Sequence, residues 1–137
     1  MPNLTRFLTA QSTTFPTALA ELQAGHKQTH WMWFIFPQLA SLGRSPTAKR
    51  YGIDTLAEAR DYLAHPVLGP RLTRAAQAVL AHEGMTAEEI MGPIDALKLR
   101  SSATLFRAAG GGPEFQAILD AFYGGQPCPL TEDALRV

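Results

Sequence analysis

An all-α fold follows from three features of the chain. Helix-start and helix-stop residues recur from end to end, apolar residues repeat three and four apart, and alternating strand patterns are scarce. Hydrophobic residues make up 46% of the 137 and charged residues 18%, a balance that suits a packed globule and excludes a disordered chain. At this length the expectation is one helical domain, residues 1–137, of seven to eight short helices around a single core.

The first helix is expected over Thr14 to Gln23, where Phe15, Leu19 and Leu22 share a face and Gly25 supplies the stop. HWMWFIFPQ, residues 30–38, follows; a turn or two of helix here is apolar on every side, as a segment enclosed by others should be, and Pro37 halts it. Ser45-Pro46 reads as an N-cap followed by proline at the first helical position. Asp54 is expected to cap TLAEARDYLA, with Leu56, Ala59 and Leu63 on one face and Pro66 ending it. Leu68, Leu72, Ala75, Ala76 and Val79 form the stripe of the next helix, which runs out near Gly84. Thr86 opens TAEEIM, with Glu89 placed for a capping box. Pro93 opens PIDALKLRSSATLFRAA, closed by Gly110 to Gly112, and Pro113 opens PEFQAILDAFY, closed by Gly124-Gly125. TEDALRV adds a final turn of helix.

The helix from Ile94 to Ala108 carries the polar groups of most interest. At about 100° per residue, Ala96, Arg100 and Arg107 cluster and define the expected solvent face. The opposite face holds Ile94, Leu99, Leu105 and Phe106, with Asp95, Lys98 and Ser102 among them and Ser101 at the border. A buried charge costs several kcal/mol unless it is paired or hydrogen-bonded; Asp95 and Lys98, three apart, can pair on the helix surface, and Ser102, four beyond Lys98, can join them. Two readings remain open: an internal ion pair or a lysine snorkelling to water, and a cleft in which Lys98, Ser101 and Ser102 meet an anionic ligand.

His30 is either a satisfied core residue or an acid–base group. Trp31 and Trp33 are either core or a flat wall for a ligand; when buried, their indole N–H groups need acceptors, for which Gln38, Ser101 and Ser102 are candidates. The four histidines lack metal-ligand spacing, so no metal is expected. Gly110 to Pro113 lacks the lysine and Ser/Thr of a phosphate loop and reads as a helix-breaking linker, and no other cofactor is implied. Arg71, Arg74, Arg100 and Arg107 fall mostly on outer faces and read as solvated. Cys128, the single cysteine, lies between two prolines and reads as a spectator thiol.

Twelve basic and twelve acidic residues leave no net charge, which argues against nucleic acid or an anionic membrane as a partner. No signal peptide is visible, and the apolar run Trp31 to Phe36 is too short to span a bilayer, so a cytoplasmic location is the default.

KQTHWMWFIFPQLASLGRSPTAKRYGI, EARDYLAHPVLGPRL and IMGPIDALKLRSSATLF resemble the family called domain of unknown function 1810, bacterial helical proteins often labelled calpastatin. The resemblance spans nearly the whole chain. It departs at Ala103, where the family pattern KLxSSMTLF has methionine, and at Ala96, where a second acidic residue is common. It implies a single helical domain and no particular reaction. Calpastatins are long disordered inhibitors, which this composition does not match.

Together these features lead to an expected cleft between HWMWFIFPQ and the inner face of the Asp95 to Phe106 helix, taking an anionic or nucleotide-like small molecule. In that cleft Lys98, paired with Asp95, gives positive charge. Ser101, Ser102 and Gln38 give hydrogen bonds, Trp31 or Trp33 a flat wall, and His30 any proton transfer. The alternative is a protein-interaction module in which the same polar groups are structural.

Overall fold

The computed structural model describes residues 4–136. Nine α-helices lie among them: α1 (Thr5–Ala24), α2 (Met32–Ile35), α3 (Pro46–Arg50), α4 (Leu56–Ala64), α5 (Leu68–Leu80), α6 (Ala87–Met91), α7 (Pro93–Ala108), α8 (Pro113–Phe122) and α9 (Pro129–Leu135). A 3-10 turn, Ala40–Leu42, follows α2, and no strand occurs among the described residues beyond an isolated parallel bridge between Leu39 and Ile53. Helix predominance agrees with the sequence expectation; the count exceeds it by the very short pieces. Met1 to Asn3, and Val137 at the end of TEDALRV, lie outside the described residues.

Most of the start and stop signals act where the sequence puts them. Ser45 Oγ accepts from Ala48 N–H at 3.0 Å, with Pro46 opening α3. The capping box of α6 is complete: Thr86 Oγ1 accepts from Glu89 N–H at 3.0 Å, and Glu89 accepts from Thr86 N–H at 2.8 Å. Gly25 ends α1 with a φ of 75° and lies against the ring of His82, which a Cβ at this position would crowd at 3.1–3.3 Å.

Two boundaries differ from expectation. Helix α1 begins at Thr5, not Thr14, and carries Pro16 in its interior. A proline there forfeits one helical hydrogen bond, at a cost of roughly 3 kcal/mol. Burial of Phe7, Gln11 and Phe15 on one face, four apart, holds the first half in line against that cost. Helix α4 is capped by Thr55 rather than Asp54: Thr55 Oγ1 accepts from Glu58 N–H at 3.1 Å. Asp54 instead donates its backbone N–H to Glu58 Oε1, which also accepts from Arg6.

Helix α7 is the axis of the fold. It packs against α4, α6, α8 and α9, and Ser101 to Phe106 are all buried. The wheel therefore fails in its premise, because no single face of α7 meets solvent. Ala96, expected outside, is 1% exposed, whereas Ile94 and Leu97 in the first turns are 70% and 67% exposed. Arg71, Arg100 and Arg107 are likewise half-buried and tied down rather than solvated. Arg71 bonds Gln11, Arg100 bonds the Gln126 carbonyl, and Arg107 bonds Gln116 and Glu132. Arg74 is exposed, as expected.

A line of aromatic rings crosses the core from α1 to α8. Phe7 meets Tyr62 edge-on at 5.1 Å, Tyr62 meets Phe106 at 5.3 Å, and Phe106 meets Phe115 at 5.8 Å. Helix α2 is enclosed as HWMWFIFPQ suggests: Trp31, Met32, Phe34, Ile35 and Phe36 are buried. Its short length leaves backbone carbonyls without helical donors, and Gln11 meets one of them. Gln11 Nε2 donates to the Phe34 carbonyl at 2.6 Å and to Tyr62 Oη at 2.9 Å. Burial raises the Tyr62 pKa well above the usual tyrosine range, so this hydroxyl stays neutral.

Trp31 is fully buried whereas Trp33 is only partly so. Trp31→Ala should therefore cost about 3–5 kcal/mol in a urea melt, and Trp33→Ala clearly less. Equal losses would contradict this assignment.

Candidate functional site

The loop between α1 and α2 is drawn together by one carboxylate. Glu21, in the last turn of α1, accepts from Gln28 N–H at 2.8 Å, Thr29 N–H at 3.0 Å, Thr29 Oγ1 at 2.6 Å and the Trp31 indole N–H at 2.9 Å. Partial burial pushes the Glu21 pKa up, but these bonds to the charged form outweigh it, and the pKa falls from 4.5 to about 2. Sequence reasoning looked for the indole's acceptor on Gln38, Ser101 or Ser102; it is Glu21, ten residues upstream.

The loop delivers Lys27 to the start of α7. Lys27 Nζ lies 2.9 Å from Asp95 Oδ2 and donates to the Thr29 carbonyl at 2.6 Å. Lys98 Nζ approaches the other oxygen of Asp95 at 3.5 Å. One carboxylate thus serves two ammonium groups. The side chain of Lys27 is 7% exposed and that of Lys98 is 23% exposed, so Lys27 is the enclosed partner and Lys98 the wetter one. Each ammonium also sits over an indole, Lys27 at 4.9 Å from the Trp31 ring and Lys98 at 4.9 Å from that of Trp33.

Beside this cluster opens a cavity of about 340 Å³. Met32, Trp33, Met91, Pro93 and Ile94 give it apolar walls, and Lys27, His30 and Asp95 supply polar groups. Gly92, with a φ of 87°, makes the abrupt turn from α6 into α7 that forms one side. Among the described residues no group of three or more His, Cys, Asp and Glu is placed to hold a metal.

Of the residues nominated from sequence, His30, Trp33 and Asp95 line this cavity, and Lys98 stands behind Asp95 and against Trp33. His30 is exposed, not a core residue, and precedes α2. The other four lie elsewhere. Trp31 is buried against Glu21. Gln38 is half-buried beyond α2, and its backbone carbonyl accepts from Ile53 N–H at 2.9 Å. Ser101 Oγ is 2.7 Å from Thr131 Oγ1, a buried bond that fastens α9 to α7. Ser102 Oγ is buried with no hydrogen-bond partner among the described residues. Lys27 and Glu21 were missed; each stands alone in a loop or helix end, without a local pattern to mark it.

The family model for the protein of unknown function (DUF1810) matches residues 1–135. The chain belongs to the DUF1810 family. No curated protein matches it. The chain is similar to the conserved hypothetical protein Rv1873 from Mycobacterium tuberculosis, whose crystal structure it matches with a TM-score of 0.95 at 48% identity, covering 98% of this chain and 96% of that one. The all-helical architecture of this DUF1810 protein thus recurs in an experimental structure. Among its described residues no helix is long and apolar enough to cross a membrane.

Because the Glu21 pKa is lower in the folded chain than in the unfolded one, its contribution to stability is full above pH 4.5 and disappears as pH falls through about 2. Glu21→Gln should remove that part of the acid dependence: the stability gap to wild type, measured by urea melts, should be constant at neutral pH and narrow between pH 4.5 and 2. A gap independent of pH would show that the charge on Glu21 contributes nothing.

Proposed function

We propose that this DUF1810 protein binds a small anionic molecule with a flat or apolar portion in the cavity between α2 and the start of α7. One observation carries this reading: an apolar, tryptophan-walled cavity is lined by Lys27 and by Asp95, the carboxylate that Lys27 shares with Lys98 just behind it. The cluster of Lys27, Lys98 and Asp95 keeps one positive charge in excess at the edge of an apolar space. An anionic group reaching Lys98 and His30, with a planar body against Trp33, would use both features. Binding rather than a reaction is assigned because both oxygens of Asp95, the carboxylate lining this cavity, already face ammonium groups.

A second reading, a surface for another protein, is favoured by the exposure of Ile94 and Leu97 beside the same cavity. The two readings differ in what a small anion does to stability.

The test is a thermal-shift screen with nucleotides and phosphorylated or carboxylated metabolites. At a hundredfold excess over Kd, a bound ligand stabilises by about 2.7 kcal/mol, which such a melt resolves. Lys98→Met should lose about 0–1 kcal/mol of intrinsic stability, since Lys98 is partly in water and Asp95 keeps Lys27, yet it should abolish the ligand's shift. If no anion in the panel stabilises the wild type, the ligand reading fails and the protein-surface reading stands.

A further inference from the structure

We propose that Glu21 is the positioning residue of this cavity, holding the loop from Gly25 to Trp31 so that Lys27 stays docked on Asp95 and His30 stays at the edge. The inference rests on the cavity being the binding site for its consequence, but not for its geometry. All four side-chain bonds of Glu21 go to residues 28–31, between Lys27 and α2.

The loop has little else to hold it. The side chains of Gln28, Thr29 and His30 are exposed and contribute no buried anchor. Beyond the Glu21 side chain, the loop is held at its start by the Gly25 and His26 N–H bonds to the Leu22 and Glu21 carbonyls, and then by the Lys27 N–H bond to the Ile90 carbonyl at 2.8 Å and the Lys27 ammonium, whose acceptors are Thr29 and Asp95. The fully buried Trp31 therefore gives Glu21 its purchase on the core, through the indole N–H.

Position also argues for this role. An acidic residue in the last turn of a helix opposes the helix dipole and is unfavourable on local grounds. Such a residue is expected where a tertiary demand overrides the local one, and here the demand is the set of loop donors. Its lowered pKa keeps the carboxylate charged at any ordinary pH, so the clamp is constant rather than a switch.

The test reads the loop without any ligand. Lys27, Lys49 and Lys98 are the three lysines of the chain, so amine acetylation followed by mass spectrometry reports on each one. In Glu21→Gln, Lys27 should be acetylated at least about tenfold faster than in wild type, and the amides of Gln28 and Thr29 should exchange faster by a similar factor, while amides of α5 keep their protection. Lys49, which is exposed in α3, should be unchanged and serves as the internal control. Wild-type labelling of Lys27 in this variant overturns the proposal. If Glu21→Gln instead loosens every helix alike, Thr29→Val decides, because it removes only the hydroxyl bond to Glu21. Loop-confined deprotection then supports the positioning role, and a wild-type pattern overturns it. A released loop in Glu21→Gln, together with a wild type that no anion stabilises, leaves this inference standing and removes the binding reading instead.

Discussion

Asp95 is the point on which the arrangement of the cavity depends. It sits in the first turn of α7, where an acidic group suits the helix dipole, and it takes an ammonium on each oxygen. One of those ammonium groups, on Lys27, arrives from the far side of the cavity on the loop after α1. The ion cluster is therefore a tertiary tie between the first and the central helix, not merely a pair along α7. Lys27 is nearly enclosed, so its charge needs Asp95, whereas Lys98 is wetter.

Lys98 is neither sealed nor unpaired: it shares Asp95 with Lys27 and keeps part of its side chain in water. Spacing of three along a helix was enough to pair Asp95 with Lys98, and that pair is present. The second lysine was invisible because its partner is 68 residues away in sequence and no local rule links Lys27 to Asp95. Glu21 was hidden for a related reason: its four donors, on Gln28, Thr29 and Trp31, lie in the loop after α1 at seven to ten residues' distance, where no local rule links them to it.

The helices were largely legible because caps, prolines and glycines act locally. Ser45, the Thr86–Glu89 box, Gly25 and Pro93 all work where they were read. The errors came where tertiary packing overrode local chemistry. The spacing of Phe15, Leu19 and Leu22 marks the first helix only from Thr14, but Phe7 and Gln11 carry its buried face back towards Thr5. Ala96 was placed outside because a wheel assumes one wet face, and α7 is covered on most sides. The candidate site divides along the same line. His30, Trp33 and Asp95 come together around the cavity with Lys98 behind Asp95, whereas Ser101 and Ser102 lie deeper on α7, where its enclosure by neighbouring helices turns them into the interior.

A double-mutant cycle on Lys27→Met and Asp95→Ala measures the tie between the α1–α2 loop and α7 most directly, because it isolates their coupling from the other losses each change causes. Urea melts of the four proteins should give a coupling free energy of about 1–3 kcal/mol, as for a contacting pair removed from most of its water. A coupling below about 0.3 kcal/mol would mean that the two groups act independently, and the account of the cavity as a place held by one shared carboxylate would be contradicted.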